Sequence, residues 1–143
     1  MTCIDVAAHE MSHGVTGNSS NLVYNGESGA LNESFSDIFG TCVEFMVRPS
    51  TGNYIIGEQI TTGGNGIRSM SNPSLFGDPG AYGDANWYTG AADNGGVHTN
   101  SGVQNHWFYI LSKGENATNF KGNKYNVRGI GVDSAGAIAY RNN

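Results

Sequence analysis

The sequence predicts a mainly α-helical fold with long glycine-rich loops. Residues 28–47 carry apolar side chains at helical spacing, and residues 2–15 can form a shorter helix of the same kind. A third helix is predicted from Asn100 to Ser112, with Asn100 or Ser101 as its N-cap. Between these helices, residues 48–93 are rich in Gly, Pro, Asn and Asp, which favour turns and loops.

The composition narrows the class of protein. Only 13% of the residues are charged and 22 of 143 are glycine, which suits a loop-rich extracellular protein better than a coiled coil or a disordered tail. The net charge of −5 comes without a basic cluster, which argues against nucleic acid as a partner. No apolar run is long enough to span a membrane. The chain starts directly in a helix and stops just after another begins, so we expect a central fragment whose secretion signal lies upstream.

The first helix, expected at about Thr2 to Val15, carries His-Glu-Met-Ser-His. His9 and His13 are four residues apart, so both imidazoles lie on one helix face and can share a metal ion. Two histidines and a third protein ligand suit zinc and leave a position open for water. Glu10 follows the first histidine, and its carboxylate can take a proton from that water.

The second helix, at 28–47, offers the third ligand. Glu33 and Asp37 share a face, so if Glu33 binds the metal, Asp37 can accept the free N–H of a ligating histidine. Asn32 can do the same for the other histidine. A solvated acidic helix face is the alternative, but the combined pattern makes chance a poor explanation. The packing face is apolar: Leu31, Phe35, Ile38, Phe39 and Val43.

These motifs resemble those of the thermolysin-like neutral zinc metalloproteases, the endopeptidases whose third zinc ligand is a glutamate. The resemblance is carried by DVAAHEMSHGVT, LVYNGESGALNESFSDIFG, GIRSMSNP and DNGGVHTNSG, and it covers nearly the whole chain. It implies that His9, His13 and Glu33 bind zinc and that Glu10 is the general base. It also implies that residues 1–143 are one partial domain, the helical catalytic half, without the upstream β-rich domain. Its parts would be the metal-site helices (about 2–47), a calcium and loop region (48–99) and a C-terminal helical part (100–143).

The resemblance gives roles to four further residues. Tyr24 and His98 would stabilise the oxyanion, Asp93 would orient His98, and Arg68 would contact substrate and support Asp37. From the residues alone, a paired tyrosine, a structural histidine and a surface arginine remain alternatives. His106 has no partner motif, and we interpret it as structural.

A structural calcium site is also implied by the resemblance. Asp5, Glu44, Asn53 and Glu58 offer carboxylate and amide oxygens, the ligands that calcium prefers. Asn53 stands where the family often has an aspartate, so we expect at most one calcium, bound weakly. For Asp5, a carboxylate in the first turn of a helix is the alternative. Cys3 and Cys42 either form a disulfide or remain two buried thiols.

The resemblance also predicts a substrate pocket. Its lining would be aliphatic and would accept an apolar residue after the scissile bond. The lining residues would be Val6, Ile56, Ile60 and Ile67, for which ordinary core positions are the alternative. The predicted function is therefore a secreted zinc endopeptidase with Zn2+ and at most one Ca2+, acting on protein or peptide substrates. We expect no nucleic-acid or membrane partner, and a monomeric parent protein. The alternatives are an inactive zinc-binding module and an aminopeptidase, for which no amino-terminus anchor is found.

Overall fold

A computed structural model describes residues 2–143, and it confirms the mainly α-helical fold. The helices and strands, in chain order, are α1 (Ile4–Gly17), α2 (Gly26–Val47), β1 (Ile55–Ile56), β2 (Arg68–Ser69), a short 3-10 helix (Pro73–Phe76), α3 (Ala92–Asn100), α4 (Gly102–Lys113), β3 (Gly114–Thr118), β4 (Lys124–Arg128) and α5 (Val132–Asn142). The predicted helices lie within two residues of α1, α2 and α4. Within residues 2–143, no helix has the length and apolar character needed to cross a membrane.

The helices α1 and α2 pack closely against each other because α2 has a glycine, Gly40, at the point of contact. A Cβ atom at Gly40 would lie 2.5 Å from the main-chain oxygen of Asp5 and 3.4 Å from the main-chain nitrogen of His9. Any larger residue would have to push the helices apart, since neither contact atom belongs to a flexible side chain. The close crossing brings the polar face of α2 within reach of the histidines on α1.

The hydrophobic core lies on the side of α2 away from the histidines. α2 and α5 meet there with α4 and the segment that contains β1 and β2. The buried apolar side chains of this core are Phe35, Ile38, Ile56, Met70, Phe108, Ala135 and Ala139. Of the helices that carry polar site residues, α2 and α4 are held by this core through Phe35, Ile38 and Phe108.

The long loop between α2 and α3 contains one antiparallel strand pair. Ile55 pairs with Ser69 and Ile56 with Arg68. The pairing brings Arg68 up to the polar face of α2. Ile60 follows in a turn closed by the hydrogen bond from its N–H to the oxygen of Gly57.

A second strand pair, the hairpin of β3 and β4, was not predicted from the sequence. Its register runs from Gly114 opposite Arg128 to Thr118 opposite Lys124. The side chain of Asn119 closes the turn by accepting hydrogen bonds from the N–H groups of Lys121 and Asn123.

Both cysteines are free thiols, so the disulfide alternative is not realised. Cys3 stands at the start of α1, whereas the sulfur of Cys42 packs against α5 at Gly136. Burial, together with the nearby Asp5, raises the pKa of Cys3 to about 11. Burial and Asp133 raise the pKa of Cys42 to about 12. The structure therefore has two free thiols, of which Cys3 is buried and Cys42 is partly buried.

Candidate metal centre

His9 and His13 point their Nε2 atoms at the same space, 3.1 Å apart. Each ring is held at its other nitrogen: His9 Nδ1 lies 2.8 Å from Asp37 Oδ1, and His13 Nδ1 lies 2.7 Å from Asn32 Oδ1. Because an oxygen acceptor holds the proton on each Nδ1, each neutral ring presents an Nε2 lone pair. Two lone pairs that face each other at this distance need a cation or a proton between them.

Glu33 completes the group from α2. Its Oε2 lies 3.4 Å from His9 Nε2, and its Oε1 lies 3.4 Å from His13 Nε2. The side chain is 1% exposed, and Oε2 has no hydrogen-bond partner. Within residues 2–143, these three residues are the only group of three or more metal-ligating side chains whose donor atoms lie within 4.8 Å of one another. Two imidazoles and a carboxylate fit a zinc ion with a fourth position left open.

The electrostatics of the group favour a bound positive charge. Burial opposes protonation of His9, but the carboxylates of Asp37 and Glu33 outweigh it and raise the pKa of His9 to about 9. Burial likewise opposes ionisation of Glu33, but its contacts with His9 and Tyr24 outweigh it and lower its pKa. The same carboxylates that favour a proton on His9 would favour a divalent cation, whose binding competes with that proton.

Asp37 is fully buried and accepts hydrogen bonds at both oxygens. Arg68 donates from Nε to Oδ2 and from Nη2 to Oδ1, each at 2.7 Å, and His9 also bonds Oδ1. Burial opposes ionisation of Asp37, but the Arg68 guanidinium and His9 hold its pKa well below its usual range. Asp37 is therefore a fixed anion behind the histidine, and Arg68 is its counter-ion.

Tyr24 and His98 border the site on its open side. The Tyr24 hydroxyl donates to Glu33 Oε1 and lies 3.3 Å from His98 Nε2. Burial and the contact with Glu33 raise the pKa of Tyr24, so its proton stays in place. Asp93 holds His98 twice, through Oδ1 at 2.7 Å from Nδ1 and through Oδ2 at 3.0 Å from the main-chain N–H.

A turn of left-handed helix aims Asp93 at His98. Four consecutive residues, Asp93 to Gly96, have φ between 50° and 88°, which interrupts α3 at its start. Two of them are glycines, which adopt this conformation at little cost. A Cβ atom on Gly96 would lie 2.5 Å from the Tyr88 ring, so that position requires glycine on steric grounds as well.

A cavity of about 240 Å³ opens beside His9, and Glu10 and Arg68 line it with His98. Three of the four predicted pocket residues line it too: Val6, Ile56 and Ile67. The structure does not bring Ile60 to this cavity, because the turn at Gly57 carries it away, and it is 38% exposed.

Comparison with known proteins identifies the family of the chain. The family model described as the alpha-helical domain of thermolysin metallopeptidases matches residues 20–143. The chain belongs to the thermolysin family of metallopeptidases. It is 52% identical to a bacillolysin of Bacillus cereus over 98% of the chain, and 49% identical to a thermolysin of Alicyclobacillus acidocaldarius subsp. acidocaldarius over 96%.

A solved structure agrees with this assignment. The precursor of protealysin, a metalloproteinase from Serratia proteamaculans, matches with a TM-score of 0.66 and 36% identity, over 75% of this chain and 37% of that one. The chain spans about a quarter of the length of the two curated thermolysin-family relatives, 24% in each case.

The residues predicted for calcium converge only in part. Asp5 Oδ2 accepts the Gly57 N–H at 2.6 Å, and Asn53 bridges Glu44 and Glu58 through its main-chain and side-chain nitrogens. One oxygen of Asp5 and one of Glu58 are buried without a partner. Burial, with Glu58 and Asp5 nearby, raises the pKa of Glu44. The side-chain oxygen of Asn53 accepts the N–H of Ile55 at 2.7 Å.

One site residue of this thermolysin-family chain, Asn105, is not predicted by the sequence patterns. Asn105 in α4 donates to Asp37 Oδ2 at 2.8 Å and accepts from the Ser34 hydroxyl at 2.7 Å. The only available signal was a polar residue at a buried helix position, which does not by itself indicate a contact 68 residues away in the chain. His106 Nδ1 lies 3.0 Å from the main-chain oxygen of Met70, and this histidine takes no part in the metal group.

Proposed function

We propose that this chain carries the zinc site of a secreted endopeptidase that hydrolyses peptide bonds. The observation that carries the proposal is the convergence of His9 Nε2, His13 Nε2 and the unpartnered Glu33 Oε2 on one point. A zinc ion held by these residues would act as a Lewis acid and make a water molecule acidic enough to attack a carbonyl at neutral pH.

The remaining side chains have complementary tasks in this proposal. Glu10 stands exposed at the cavity that His9 also lines, so its carboxylate takes the proton of the attacking water and passes it to the leaving amine. Tyr24 and His98 donate hydrogen bonds to the oxygen on which negative charge develops. Asp93 holds His98 for that purpose, and Arg68 keeps Asp37 ionised behind His9.

The cavity supports a preference for an apolar residue after the scissile bond. Val6, Ile56 and Ile67 form an aliphatic wall, and Arg68 and Glu10 supply the polar groups beside it. Such a wall favours an aliphatic or aromatic side chain over a charged one. The proposed partners are accordingly protein or peptide substrates, and the low charged fraction of 13% supports an extracellular location.

We also propose one weakly bound calcium ion between Asp5, Glu44 and Glu58. The support is the pair of buried, unpartnered oxygens on Asp5 and Glu58, together with the raised pKa of Glu44, which burial and the carboxylates of Glu58 and Asp5 cause. Because a cation would offset this repulsion, millimolar Ca2+ should raise the thermal midpoint of the chain.

The test of the protease proposal is the variant Glu10→Gln. It should keep the zinc content of the unaltered chain, since Glu10 is not a ligand, and abolish cleavage of a peptide with leucine after the scissile bond. Cleavage is measured on the chain and on any longer product that contains it. Zinc bound without cleavage in every form would favour the second candidate, a metal-binding module, and full activity of Glu10→Gln would refute the role of Glu10.

A further inference from the structure

Asn105 is a buried amide that the fold places against the carboxylate behind the zinc site. It lies inside α4 and is 1% exposed, so each of its polar atoms must find a partner within the protein. Its Nδ2 donates to Asp37 Oδ2 at 2.8 Å, and its Oδ1 accepts from the Ser34 hydroxyl at 2.7 Å. The two partners require a donor at one end of the side chain and an acceptor at the other.

The bond from Asn105 acts on the oxygen of Asp37 that does not face the histidine. Oδ1 faces His9 Nδ1 at 2.8 Å, while Oδ2 is held by Asn105 and by Arg68 Nε. Arg68 lies on β2 and reaches both oxygens, whereas Asn105 is fixed in a helix that packs against α2. The amide therefore holds the carboxylate from the helical core, and this keeps Oδ1 turned toward His9.

Ser34 ties the same amide to the second helix of the site. It is fully buried and directly follows Glu33, so Asn105 contacts α2 at two positions, next to Glu33 and at Asp37. A shift of α4 relative to α2 would strain both bonds. The hydrogen bonds that run from Ser34 through Asn105 and Asp37 to His9 thus link α2, α4 and the first histidine.

We propose that Asn105 is a positioning residue for the metal ligand His9, acting through Asp37. The proposal rests on the zinc site proposed above. It predicts that loss of the amide weakens zinc binding even where the chain remains folded, because Asp37 then fixes the tautomer and orientation of His9 less firmly.

The test compares the zinc dissociation constants of the folded 143-residue chain and its variants, measured by competition with a chromophoric chelator. Asn105→Ala should raise the constant roughly 3- to 10-fold, less than the ~10–100-fold typical when a group that bonds a ligand directly is lost. Ser112→Ala is the matched control, since Ser112 is a buried polar residue of α4 whose hydroxyl bonds Tyr54 at 2.9 Å, away from the site. Its zinc constant should stay within about twofold of that of the unaltered chain.

A second variant covers the case in which Asn105→Ala does not fold. The double variant Ser34→Ala with Asn105→Leu replaces both members of the Ser34–Asn105 hydrogen bond by apolar residues. This keeps the core filled and leaves no unpaired hydroxyl. It should fold and show the same loss of zinc affinity. Circular dichroism at the assay temperature confirms the folded state of each variant.

The outcomes separate this inference from the zinc proposal. If the unaltered chain binds zinc and Glu33→Gln abolishes binding, but both Asn105 variants match the unaltered chain, the role of Asn105 is refuted and the zinc site stands. Equal losses in Asn105→Ala and Ser112→Ala would also refute it, since they would indicate general destabilisation. A chain that takes up no zinc would overturn both proposals together.

Discussion

The substitution Asp37→Asn tests how much the fold depends on the buried anion of the site. Asp37 accepts four N–H bonds, one from His9, two from Arg68 and one from Asn105. Asparagine retains the shape but offers one oxygen, and its NH2 group must face two of these donors whichever way it turns. The variant therefore leaves two buried N–H groups unpaired and removes the counter-ion of Arg68.

The magnitude follows from these losses. Each unpaired buried donor costs about 1–3 kcal/mol, and removing one partner of a buried ion pair costs about 3–5 kcal/mol in total. We therefore expect the zinc-free chain to lose about 3–5 kcal/mol of unfolding free energy, or roughly 10–17 °C in thermal midpoint for a chain of this length. Zinc affinity should also fall about 10–100-fold, because His9 loses its Nδ1 acceptor.

The pH dependence gives an internal check on this assignment. Because the pKa of Asp37 is depressed in the folded state, its stabilisation is present above the unfolded carboxyl pKa and disappears as the pH falls through the folded value. The difference between Asp37→Asn and the unaltered chain should thus be largest at about pH 5 to 6 and narrow below about pH 4. It should also narrow above about pH 6.5, because Asp37 helps raise the pKa of His9 to about 9 and the stabilisation from protonated His9 is lost as the pH rises through that value.

Urea denaturation of the zinc-free chain measures the effect, and Asp93→Asn is the control. Asp93 also pairs with a histidine, but its side chain is 37% exposed, so its loss should cost less than about 1 kcal/mol. If Asp37→Asn and Asp93→Asn cost the same, or if Asp37→Asn costs under about 1 kcal/mol, the interpretation of Asp37 as a buried, fully paired anion is wrong.

Two further predictions concern the helix crossing and a second buried carboxyl. Gly40→Ala should destabilise the chain by about 1–3 kcal/mol in urea denaturation, because the new Cβ meets the main chain of α1 at 2.5 Å. Gly14→Ala is the control, because a Cβ atom there would meet nothing within 4 Å, and it should stabilise the chain by up to about 1 kcal/mol. Destabilisation by Gly14→Ala would contradict the steric explanation. Burial raises the pKa of Asp78 to about 7 despite the nearby Arg68, so the chain should lose stability as the pH rises from about 4 through 7. Asp78→Asn should remove that loss and be up to about 4 kcal/mol more stable than the unaltered chain at pH 8 but not at pH 4; equal stabilities at pH 8 would contradict the assignment.

Much of the site follows from local sequence patterns. The four-residue spacings on α1 and α2 are enough to place His9 and His13 on one face and Glu33 and Asp37 on another, because helix geometry is regular. Their roles in catalysis remain predictions, whereas the membership of the family and the helical fold are confirmed.

The contacts that depend on tertiary structure cannot be predicted from the sequence patterns. Gly40 looks like any helix glycine until the main chain of α1 is seen against it. Asn105 belongs to a helix whose packing partner cannot be inferred from periodicity, and the left-handed turn at Asp93 and Asn94 overrides the usual preference of these residues for negative φ. The β3–β4 hairpin was missed because short strands with half-exposed side chains give a weak alternating pattern.

The most direct test of the central claim is the zinc content of the purified chain after dialysis, determined by elemental analysis beside the variants His13→Ala and Glu33→Gln. If His9, His13 and Glu33 hold one ion, the unaltered chain should retain close to one zinc per chain, and both variants should retain almost none while remaining folded. Equal zinc in all three proteins, or none in the unaltered chain, would contradict the account.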